Sequence, residues 1–493
     1  MHTVARRSTG RVAAGTLALA LLGGCTDRVA APSARTLTPA ASSRDAASGT
    51  ASYVLLARGN GFATDFASTV ASLGGTVVTL HQGAGIAVID GLSPTAAAVL
   101  GAHSDVADIE QDVEVRLDAP VAPVQADMSS TAVVAQSASN PATAILASWQ
   151  WNMRAIHADA AWAAGALGDP GVTVAILDTG MDYDNRDLNG LVDLSRSTSF
   201  VPSDDAIRQK YFVGRNNITD FNGHGTNVAA QVSSKAFAFA GVTSRTTLIG
   251  VKVLGYNGVG STGGVLSGIL WAADHGADVA NMSLGASFLK TGAGRFTSLL
   301  NRVFNYAKQH GMLIVVAAGN AAEDLDHNGN ETDAYCDMVH VVCVSAIGPV
   351  TATGPADLPA FYSNFGRSAI SVAGPGGNLD PVHPTVTNWP WGADFASWAW
   401  SFCSRTTIDG FTSAGVPVAV SCASGGRLDG FIGTSQATPH VAGLAALLVA
   451  GKGHGQPQQI RNLIERSADD LGQPGTDPYF GHGRINVAKA LKF

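Results

Sequence analysis

The sequence predicts an α/β protein with a mainly parallel sheet, preceded by a smaller α+β domain. Three observations lead to this fold class. Strand and helix segments alternate through residues 148–493, and the strand segments there are continuous runs of Val, Ile and Leu. Two stretches rich in Ala, Ser and Pro bracket an earlier region with its own alternation. Strands covered by helices on both faces carry such apolar runs, and 493 residues exceed what one core usually supports.

The N-terminus predicts export. Three arginines within the first eleven residues precede an apolar stretch too short to span a bilayer, so residues 1–24 are expected to be a signal peptide. The segment "LLGGC" ending at Cys25 resembles a bacterial lipobox, in which the cysteine carries the lipid; the alternative is ordinary cleavage beside a chance cysteine. Thr26 follows, where Asp would retain a lipoprotein at the inner membrane, so the resemblance implies an outer-membrane or cell-surface precursor. Membrane contact is expected only through this lipid.

The next 120 or so residues divide into three predicted parts. Residues 25–50 are rich in Ala, Ser, Thr and Pro and predict a flexible tether. From residue 51 the pattern becomes strand, helix, strand, strand, helix, strand, which predicts a small ferredoxin-like α+β domain over residues 51–118. Residues 119–147 lack periodicity and predict an exposed linker.

Polar residues end several strands or begin helices of the domain over residues 148–493. Asp178 ends the strand in "AILDTG", Asn320 ends the one in "VVAAGN", His224 precedes a helix in "NGHGTNVAAQV", and Ser435 begins one in "GTSQATPHVAG". Reactive groups of parallel sheets lie at the carboxyl ends of the strands. A serine hydroxyl becomes a good nucleophile when a histidine takes its proton and a carboxylate orients that histidine. Taken singly, each residue has an ordinary role as a helix cap or turn residue.

Together these segments form a specific pattern. "AILDTG", "GHGTNVA" and "GTSQATPHVAG", in the order Asp, His, Ser, resemble the three signature blocks of the subtilisin-like serine peptidases, the subtilases. The resemblance also covers "VKVLGYNGVGS", "ADVANMSLG" and "MLIVVAAGN", and so most of residues 148–493. The small domain resembles the inhibitory propeptide of the same family. The family resemblance implies a subtilisin-like three-layer fold for residues 148–493. It also implies a precursor whose propeptide assists folding, covers the active site and is cleaved off within the linker.

The resemblance also implies the catalytic roles. Ser435 would be the nucleophile, His224 the general base and then acid, and Asp178 the orienting carboxylate. Asn320 would donate its side-chain amide to the oxyanion, beside the Ser435 backbone N–H.

Two segments match the edges between which subtilases hold an extended peptide as an added strand. They consist of Ser283, Leu284 and Gly285 on one side and Gly258, Val259 and Gly260 on the other. Proteins or peptides are therefore the expected substrates, cleaved with broad sequence specificity. The chain's own propeptide is the expected partner. If that propeptide is removed, the lipid on Cys25 leaves with it, and the mature enzyme would be free in the periplasm or medium.

Gln436, Asn227 and His440 lie in or next to the signature blocks. Gln436 follows Ser435 where the family has Met, and Asn227 stands where it often has a second His. Neither change removes a catalytic group. His440 occupies a structural family position, so we expect a packed helix residue rather than a second base.

No cofactor is expected for the chemistry, and calcium is the one metal to consider. The calcium loop that subtilisins insert after the histidine block is missing, which leaves Asp187 without the partners of that site. Asp324, Asp326 and Asn328 instead reproduce the start of an EF-hand-like loop, although Tyr335 replaces its bidentate Glu. A structural calcium site and a solvated acidic loop are the two interpretations.

Four cysteines remain besides Cys25, and an exported protein is expected to pair them. Three connectivities are open, and the pairing between sequence neighbours joins Cys336 to Cys343 and Cys403 to Cys422. The Trp-rich segment 377–429 is longer than the family core needs, and we expect it to pack on its own domain.

Other function classes lack their features. A net charge of −8 without a basic run argues against nucleic-acid binding. An esterase of the α/β-hydrolase type needs GxSxG, and a zinc peptidase needs HExxH; both motifs are absent from the sequence. The main alternative is a non-catalytic surface lipoprotein that uses a peptidase fold for binding, which predicts loss of a triad or oxyanion residue.

Overall fold

The computed structural model describes residues 49–59, 61–117, 124–127, 137–290, 294–333, 335–350, 354–379, 397–419, 422 and 427–493. Cys25, Trp389 and Trp391 lie outside these residues. The strands and helices near the N-terminus are, in chain order, β1 (Ala51–Ala57), α1 (Phe66–Ser72), β2 (Thr76–His81), β3 (Ile86–Leu92), α2 (Pro94–Gly101), β4 (Val106–Gln111), β5 (Glu114–Arg116) and β6 (Val124–Asp127).

The small domain is an antiparallel sheet covered by two helices. Its strand order is β2–β3–β1–β4, so the two outer strands flank a central antiparallel pair in which Val54 lies opposite Val88. Phe66 and Val70 of α1 and Leu100 of α2 pack against the sheet in one apolar core. This arrangement confirms the predicted ferredoxin-like βαββαβ order.

The sequence pattern predicts one strand at the end of this domain, but the structure has two. β4 belongs to the small sheet, whereas β5 leaves it and pairs with β10, more than 140 residues later in the chain. β6 lies inside the predicted linker and pairs with β20, a strand near the C-terminus. Both are short strands, so no local periodicity indicates their distant partners.

The larger domain contains the remaining elements. They are α3 (Trp151–Ala155), α4 (Ala158–Ala163), β7 (Thr173–Asp178), β8 (Thr198–Ser199), α5 (Pro202–Tyr211), α6 (His224–Val232), β9 (Thr247–Lys252), β10 (Val259–Ser261), α7 (Thr262–Asp274), β11 (Val279–Met282), β12 (Ser287–Leu289), α8 (Gly294–Gln309), β13 (Leu313–Ala317), β14 (Glu331–Asp333), β15 (Val341–Ile347), β16 (Val372–Pro375), β17 (Ala399–Phe402), β18 (Ile408–Phe411), β19 (Pro417–Ala419), β20 (Arg427–Phe431), α9 (Thr434–Lys452), α10 (Pro457–Ser467) and α11 (Val487–Ala490).

A seven-stranded parallel sheet forms the centre of this domain. Its strand order is β16–β15–β13–β11–β7–β9–β8, and every neighbouring pair is parallel. β7 shows how the layers form, since Val174 and Ile176 pack into the core with α6 and α9, while Ala175 and Leu177 pack into the core with α7 and α8. Burial on both faces explains the continuous apolar strands. The mainly parallel three-layer α/β prediction is confirmed.

The small domain packs onto the helical face formed by α7 and α8. The carboxylate of Asp112 accepts the backbone N–H of Gly263 at 2.9 Å, at the N-terminus of α7. Thr79 is hydrogen-bonded to Ser267 of α7 at 2.8 Å, and His81 contacts Asp274 at the other end of that helix at 2.9 Å. Docking therefore extends along the whole of α7.

The four cysteines form the two predicted disulfides. Cys336 is bonded to Cys343 and Cys403 to Cys422, with Cα–Cα distances of 5.2 and 5.8 Å. In the described part of the Trp-rich segment, Trp398 and Trp400 are buried, and β17 joins β20 and β6 in a three-stranded sheet. This part of the segment packs on its own domain.

Among the described residues, none of the helices is long and apolar enough to cross a bilayer.

Candidate active site

Asp178 and His224 form a hydrogen-bonded pair at the carboxyl end of the parallel sheet. Asp178 is the last residue of β7 and is fully buried, and His224 is the first residue of α6. His224 Nδ1 lies 2.8 Å from Asp178 Oδ1. A carboxylate accepts only, so this contact places the Nδ1 proton between them and leaves Nε2 as the basic nitrogen.

Two glycines allow this close approach. Gly223 has φ +104°, in the left-handed region that favours glycine, which turns the chain into α6 directly before His224. A Cβ on Gly225 would lie 2.2 Å from the carbonyl oxygen of Gly180 and 3.1 Å from Asp178 Oδ1. The "GHG" sequence is therefore required by the geometry of the Asp–His pair.

The surroundings of His224 favour its protonated form. Burial lowers the pKa of His224, but the charge of Asp178, its hydrogen bond and the charge of Asp220 outweigh burial and raise the pKa above the usual 6.5. The ring of Phe431 packs edge-on against the imidazole, with centroids 5.8 Å apart. The site thus stabilises an imidazolium without exposing it to water.

Ser435 lies in the first turn of α9, where backbone N–H groups and the helix dipole favour negative charge. Its side chain is buried, and its hydroxyl donates to the carbonyl oxygen of Ser283 at 3.1 Å. The Ser283 hydroxyl in turn donates to the carbonyl oxygen of Ser435 at 2.7 Å. These reciprocal bonds fix the start of α9 against the end of β11. Rotation of the Ser435 hydroxyl away from Ser283 is then required before a histidine can take its proton.

Asn320 follows β13 and is held beside the start of α9. Its Oδ1 accepts from the backbone N–H of Thr434 at 2.8 Å and from the Thr434 hydroxyl at 3.0 Å. This fixes which way the amide is turned, and Nδ2 lies 3.6 Å from the position that a Cβ on Gly433 would take. The donor end of the amide therefore faces the backbone next to Ser435.

The two departures from the family pattern contact each other. Gln436 Nε2 donates to Asn227 Oδ1 at 3.5 Å, which links α9 to α6 one turn behind the site. Asn227 Nδ2 donates to the carbonyl oxygen of Ala399 in β17 at 3.1 Å. The amide at position 227 thus attaches the Trp-rich segment to the helix that begins at His224.

His440 is a packed helix residue. It is fully buried, its Nδ1 lies 2.7 Å from the carbonyl oxygen of Gln436, and its Nε2 lies 2.9 Å from Asn152 Nδ2. Burial lowers the pKa of His440 to about 4, so the ring is neutral at ordinary pH.

The two predicted peptide-binding edges hold a strand of the chain itself. β5 pairs with β10, so that Val115 lies opposite Gly260 and Arg116 opposite Val259. On its other side, Arg116 forms a bridge with Gly285. The backbone N–H of Leu117 donates to the carbonyl oxygen of Gly258 at 2.8 Å.

Side chains of this strand alternate between the protein and solvent. Val115 is fully buried in a core cluster that includes Leu254 and Leu284. The Arg116 side chain is 65% exposed. This is the added-strand mode of peptide recognition, in which backbone hydrogen bonds hold the peptide and alternate side chains enter pockets.

The structure does not support calcium binding by Asp324, Asp326 and Asn328. Asp326 accepts the N–H of Ser368 and Asn328 Oδ1 accepts from the ammonium of Lys290 at 3.0 Å. A cationic side chain thus takes the contact that a calcium ion needs. Among the described residues, the only three metal-type ligands that converge are Cys403, Cys422 and Asp429, and the two sulfurs are bonded to each other.

Asp187, which matches a ligand of the family calcium site, also contacts protein donors. Its carboxylate accepts the N–H groups of Phe237, Ala238 and Phe239 at 2.8, 3.0 and 3.2 Å. Burial raises its pKa to about 6 despite these bonds. The carboxylate is thus surrounded by the backbone N–H groups of residues 237–239. N–H groups are donors and cannot bind a cation, so the surroundings of Asp187 do not fit a calcium ion.

Two residues next to the Asp–His pair were not predicted from the sequence. Asp220 and Thr179 are fully buried and joined by a hydrogen bond of 2.9 Å. Asp220 lies four residues before His224 in "DFNGHG", where an Asp two residues before Asn-Gly indicates a side chain that accepts nearby backbone N–H groups. That signal resembles an ordinary turn and does not by itself indicate a role in the site.

The sequence matches a family model and named relatives. The model of the subtilase family, peptidase family S8, matches residues 169–483. Thermitase of Thermoactinomyces vulgaris is 31% identical over 347 residues, which cover 70% of this chain and 96% of thermitase. A thermophilic serine proteinase of Bacillus sp. (strain AK1) is 31% identical over 350 residues, which cover 70% of this chain and 67% of the relative.

Solved structures support the fold. The epidermin leader peptide processing serine protease of Staphylococcus aureus aligns with a TM-score of 0.67 and 21% identity, covering 90% of this chain and 98% of that one. Fervidolysin from Fervidobacterium pennivorans, described as a keratinolytic enzyme related to subtilisin, aligns with a TM-score of 0.63 and 21% identity, covering 90% and 61%. The family match, the relatives and the shared fold agree: this chain belongs to the subtilase family and is a subtilisin-type serine endopeptidase.

Proposed function

We propose that this chain is an exported, autoinhibited precursor of an endopeptidase that hydrolyses proteins through a Ser435–His224–Asp178 triad and an acyl-enzyme. The observation that carries the proposal is the buried 2.8 Å contact between His224 and Asp178, located at the sheet edge where α6 and α9 both begin. An intact set of residues of this kind argues against a protein that only binds.

The first step is attack by the Ser435 hydroxyl oxygen on the carbonyl carbon of the scissile peptide bond. His224 Nε2 removes the hydroxyl proton as the new C–O bond forms. Asp178 holds Nδ1 and stabilises the imidazolium, which agrees with the raised pKa of His224. The carbonyl electron pair moves onto the oxygen, which becomes an oxyanion.

Asn320 Nδ2 and the backbone N–H of Ser435 are the proposed donors to that oxyanion. The amide of Asn320 is already oriented through Thr434, so it does not need to reorganise as charge develops. The imidazolium then gives its proton to the leaving amine, and the C–N bond breaks. Water, deprotonated by His224, next attacks the acyl carbon. The C–Oγ bond then breaks, the imidazolium returns its proton to Ser435 Oγ, and the product leaves as a carboxylic acid.

The small domain is proposed to inhibit the enzyme before it is removed. The β5 strand occupies the same edges that an extended substrate would use, with Val115 in an apolar pocket. Contacts along α7, including the Asp112 carboxylate on the Gly263 N–H, hold the domain in place. A substrate must therefore compete with an intramolecular strand until the linker is cut.

Export and lipid attachment at Cys25 are proposed from the N-terminal sequence alone. Mass spectrometry of the membrane-bound precursor tests both, since a diacylated N-terminal cysteine peptide is expected. A Cys25→Ser precursor should lack that peptide. An unmodified Cys25 would remove the lipoprotein part of the proposal and leave the catalytic part intact.

Hydrolysis of casein by the purified exported protein tests the catalytic proposal. We expect the wild type to release fluorescent fragments from fluorescein-labelled casein and to lose this activity after treatment with a fluorophosphonate. Ser435→Ala should abolish both hydrolysis and labelling. Ser467→Ala is a matched control, because Ser467 is a buried serine of α10 whose hydroxyl donates to the carbonyl oxygen of Ile464. An active Ser435→Ala protein would overturn the assignment.

A further inference from the structure

The carboxylate of Asp220 is a buried hub of hydrogen bonds beside the Asp–His pair. Its Oδ1 accepts from the Thr179 hydroxyl and from the backbone N–H groups of Asn222 and Gly223, each at 2.9 Å. Its Oδ2 accepts from the N–H and the hydroxyl of Thr226, at 3.0 and 2.6 Å. Five donors therefore satisfy one carboxylate that is fully buried.

These donors belong to the two elements that meet in the pair. Two of them directly precede His224, and Thr226 lies in the first turn of α6. Thr179 directly follows Asp178, and its Oγ accepts the N–H of Gly225 at 2.9 Å while donating to the carboxylate. The hub thus connects the end of β7 to the beginning of α6 at the level of the reacting groups.

The strand side of this connection is itself fixed. Lys252 of β9 is fully buried, and its ammonium donates to the carbonyl oxygen of Thr179. The same ammonium forms an ion pair with Asp204 at 2.9 Å. Lys252 therefore holds the end of β7 at Thr179, whose hydroxyl contacts both Asp220 and the first turn of α6.

We propose that Asp220 is a positioning residue for the histidine base, holding the His224 imidazole on Asp178 by fixing the first turn of α6 to Thr179. The inference rests on the proposed Ser435–His224–Asp178 mechanism. An asparagine at position 220 has one acceptor oxygen in place of two. Its NH2 group must therefore face either the donors of residues 222 and 223 or the donors of Thr226. Either orientation of that amide sets N–H or O–H groups against each other and displaces α6.

The charge of Asp220 has a separate effect on His224, because it raises the pKa of the imidazole. His224 is faced by Asp178 of β7, by Asp220 of the preceding loop and by the neutral Phe431 ring of β20. Asp429 of β20 lies near Gly223, and its pKa is about 7. Removing the Asp220 charge lowers the pKa of His224, and since the neutral imidazole is the active base, the acidic limb of the activity profile moves to lower pH.

The test compares Asp220→Asn with the wild type, both prepared as full-length protein, and each rate is divided by the amount of mature chain that self-processing has released. The substrate is a fluorogenic peptide chosen from the wild type's own casein cleavage products. We expect kcat to fall about a hundredfold, as misplacement of a reacting group by about 1 Å does, with KM changed less than about threefold. The rate of fluorophosphonate labelling should fall in parallel, and its acidic limb should move to lower pH.

Thr179 supplies a second variant that is less disruptive to folding. Thr179→Val keeps the side-chain shape but removes the hydroxyl between Asp220 and Gly225, and should lower kcat about tenfold. Thr179→Ser restores that hydroxyl and should return kcat to within about twofold of the wild type. Asp187→Asn is the matched control, because it removes an equally buried carboxylate that clamps a loop in another part of the domain. It should lower thermal stability and leave kcat and the acidic limb unchanged.

The outcomes separate this inference from the catalytic proposal. If the wild type neither cleaves casein nor reacts with the fluorophosphonate, the proposed function fails. If the wild type is active but Asp220→Asn or Thr179→Val retains wild-type kcat and pH profile, the positioning role of Asp220 is wrong. An effect of Asp187→Asn on kcat equal to that of Asp220→Asn would also overturn it, since any buried carboxylate would then matter.

Discussion

At the scale of single residues, the site consists of buried polar groups whose orientation is set by partners within the protein. Asp178 receives the His224 Nδ1 proton, and Asn320 is turned by Thr434. Because these groups are already oriented, charge that develops during the reaction meets dipoles that need no rearrangement. Two predictions follow from individual side chains.

The raised pKa of His224 predicts the acidic limit of activity. The imidazole must be neutral to take the serine proton, so kcat/KM should decrease as the pH falls through the pKa of His224 in the folded enzyme. That pKa lies above 6.5, because the carboxylates of Asp178 and Asp220 outweigh burial. A pH profile of peptide hydrolysis should therefore reach half of its maximum above pH 6.5. A half-maximum clearly below 6.5 would contradict the electrostatics described for the site.

Asn320→Ala should lower kcat by about 10² to 10³ and change KM little, since an oxyanion donor acts mainly in the transition state. Steady-state kinetics with a fluorogenic peptide measure both constants. Asn364→Ala is the comparison, because Asn364 holds the loop that carries Asn320: its amide donates to the carbonyl oxygen of Ala318 and accepts the N–H groups of Ala321 and Glu323. Equal losses of kcat in the two variants would show that loop packing, and not oxyanion contact, explains the effect.

At the scale of elements, short strands from the N-terminal part of the chain complete the edges of the larger domain. β5 lies along β10, and β6 lies along β20. Gln125 of β6 lies opposite the buried Asp429 of β20. Each of these contacts gives a prediction.

Val115→Asp should expel the β5 strand from the cleft of the precursor. Val115 is fully buried there, and an unpaired carboxylate in an apolar pocket costs several kcal/mol. The rate at which a fluorophosphonate labels Ser435 in the uncut precursor should rise at least about tenfold. Arg116→Ser is the control, because the Arg116 side chain is largely exposed. Equal labelling rates for all three precursors would contradict inhibition by β5.

Asp429→Asn should stabilise the protein at alkaline pH. Burial, with smaller contributions from Asp220 and Asp409, raises the pKa of Asp429 to about 7 from 3.8. The folded state therefore binds this proton more tightly than the unfolded chain, and stability is lost as the pH rises from about 4 to about 7. The neutral variant avoids this loss, so in a Ser435→Ala background it should gain on the order of 2 kcal/mol at pH 8 and little at pH 4. Denaturant unfolding at the two pH values measures the difference, and an equal effect at both would contradict the assignment.

At the scale of the whole molecule, the features predictable from sequence are those with a local pattern. Continuous apolar runs such as "TVAILD" indicate strands buried on both faces, and the parallel sheet follows from them. The blocks around Asp178, His224 and Ser435 are specific because small residues must flank each group. The ferredoxin-like order of the small domain was also predictable from a local pattern, since each of its elements is long enough to show a hydrophobic period.

The features that escaped prediction depend on partners distant in sequence. β5 pairs with a strand more than 140 residues later, and three- or four-residue strands carry no usable period. The spacing of Asp324, Asp326 and Asn328 suits calcium, but Lys290 and Ser368 come from other segments and take up the oxygens. Asp220 resembles a turn residue until the fold sets it against Thr179. Local spacing therefore specifies the catalytic blocks better than it specifies what surrounds them.

The most direct test of the central claim is to locate the covalent adduct of the mature enzyme. After reaction with a fluorophosphonate and digestion, mass spectrometry should find a single modified peptide, with the adduct on Ser435. His224→Ala should slow formation of this adduct by at least about a thousandfold while the protein remains folded. An adduct on any other serine, or labelling of Ser435 at the wild-type rate without His224, would contradict the account.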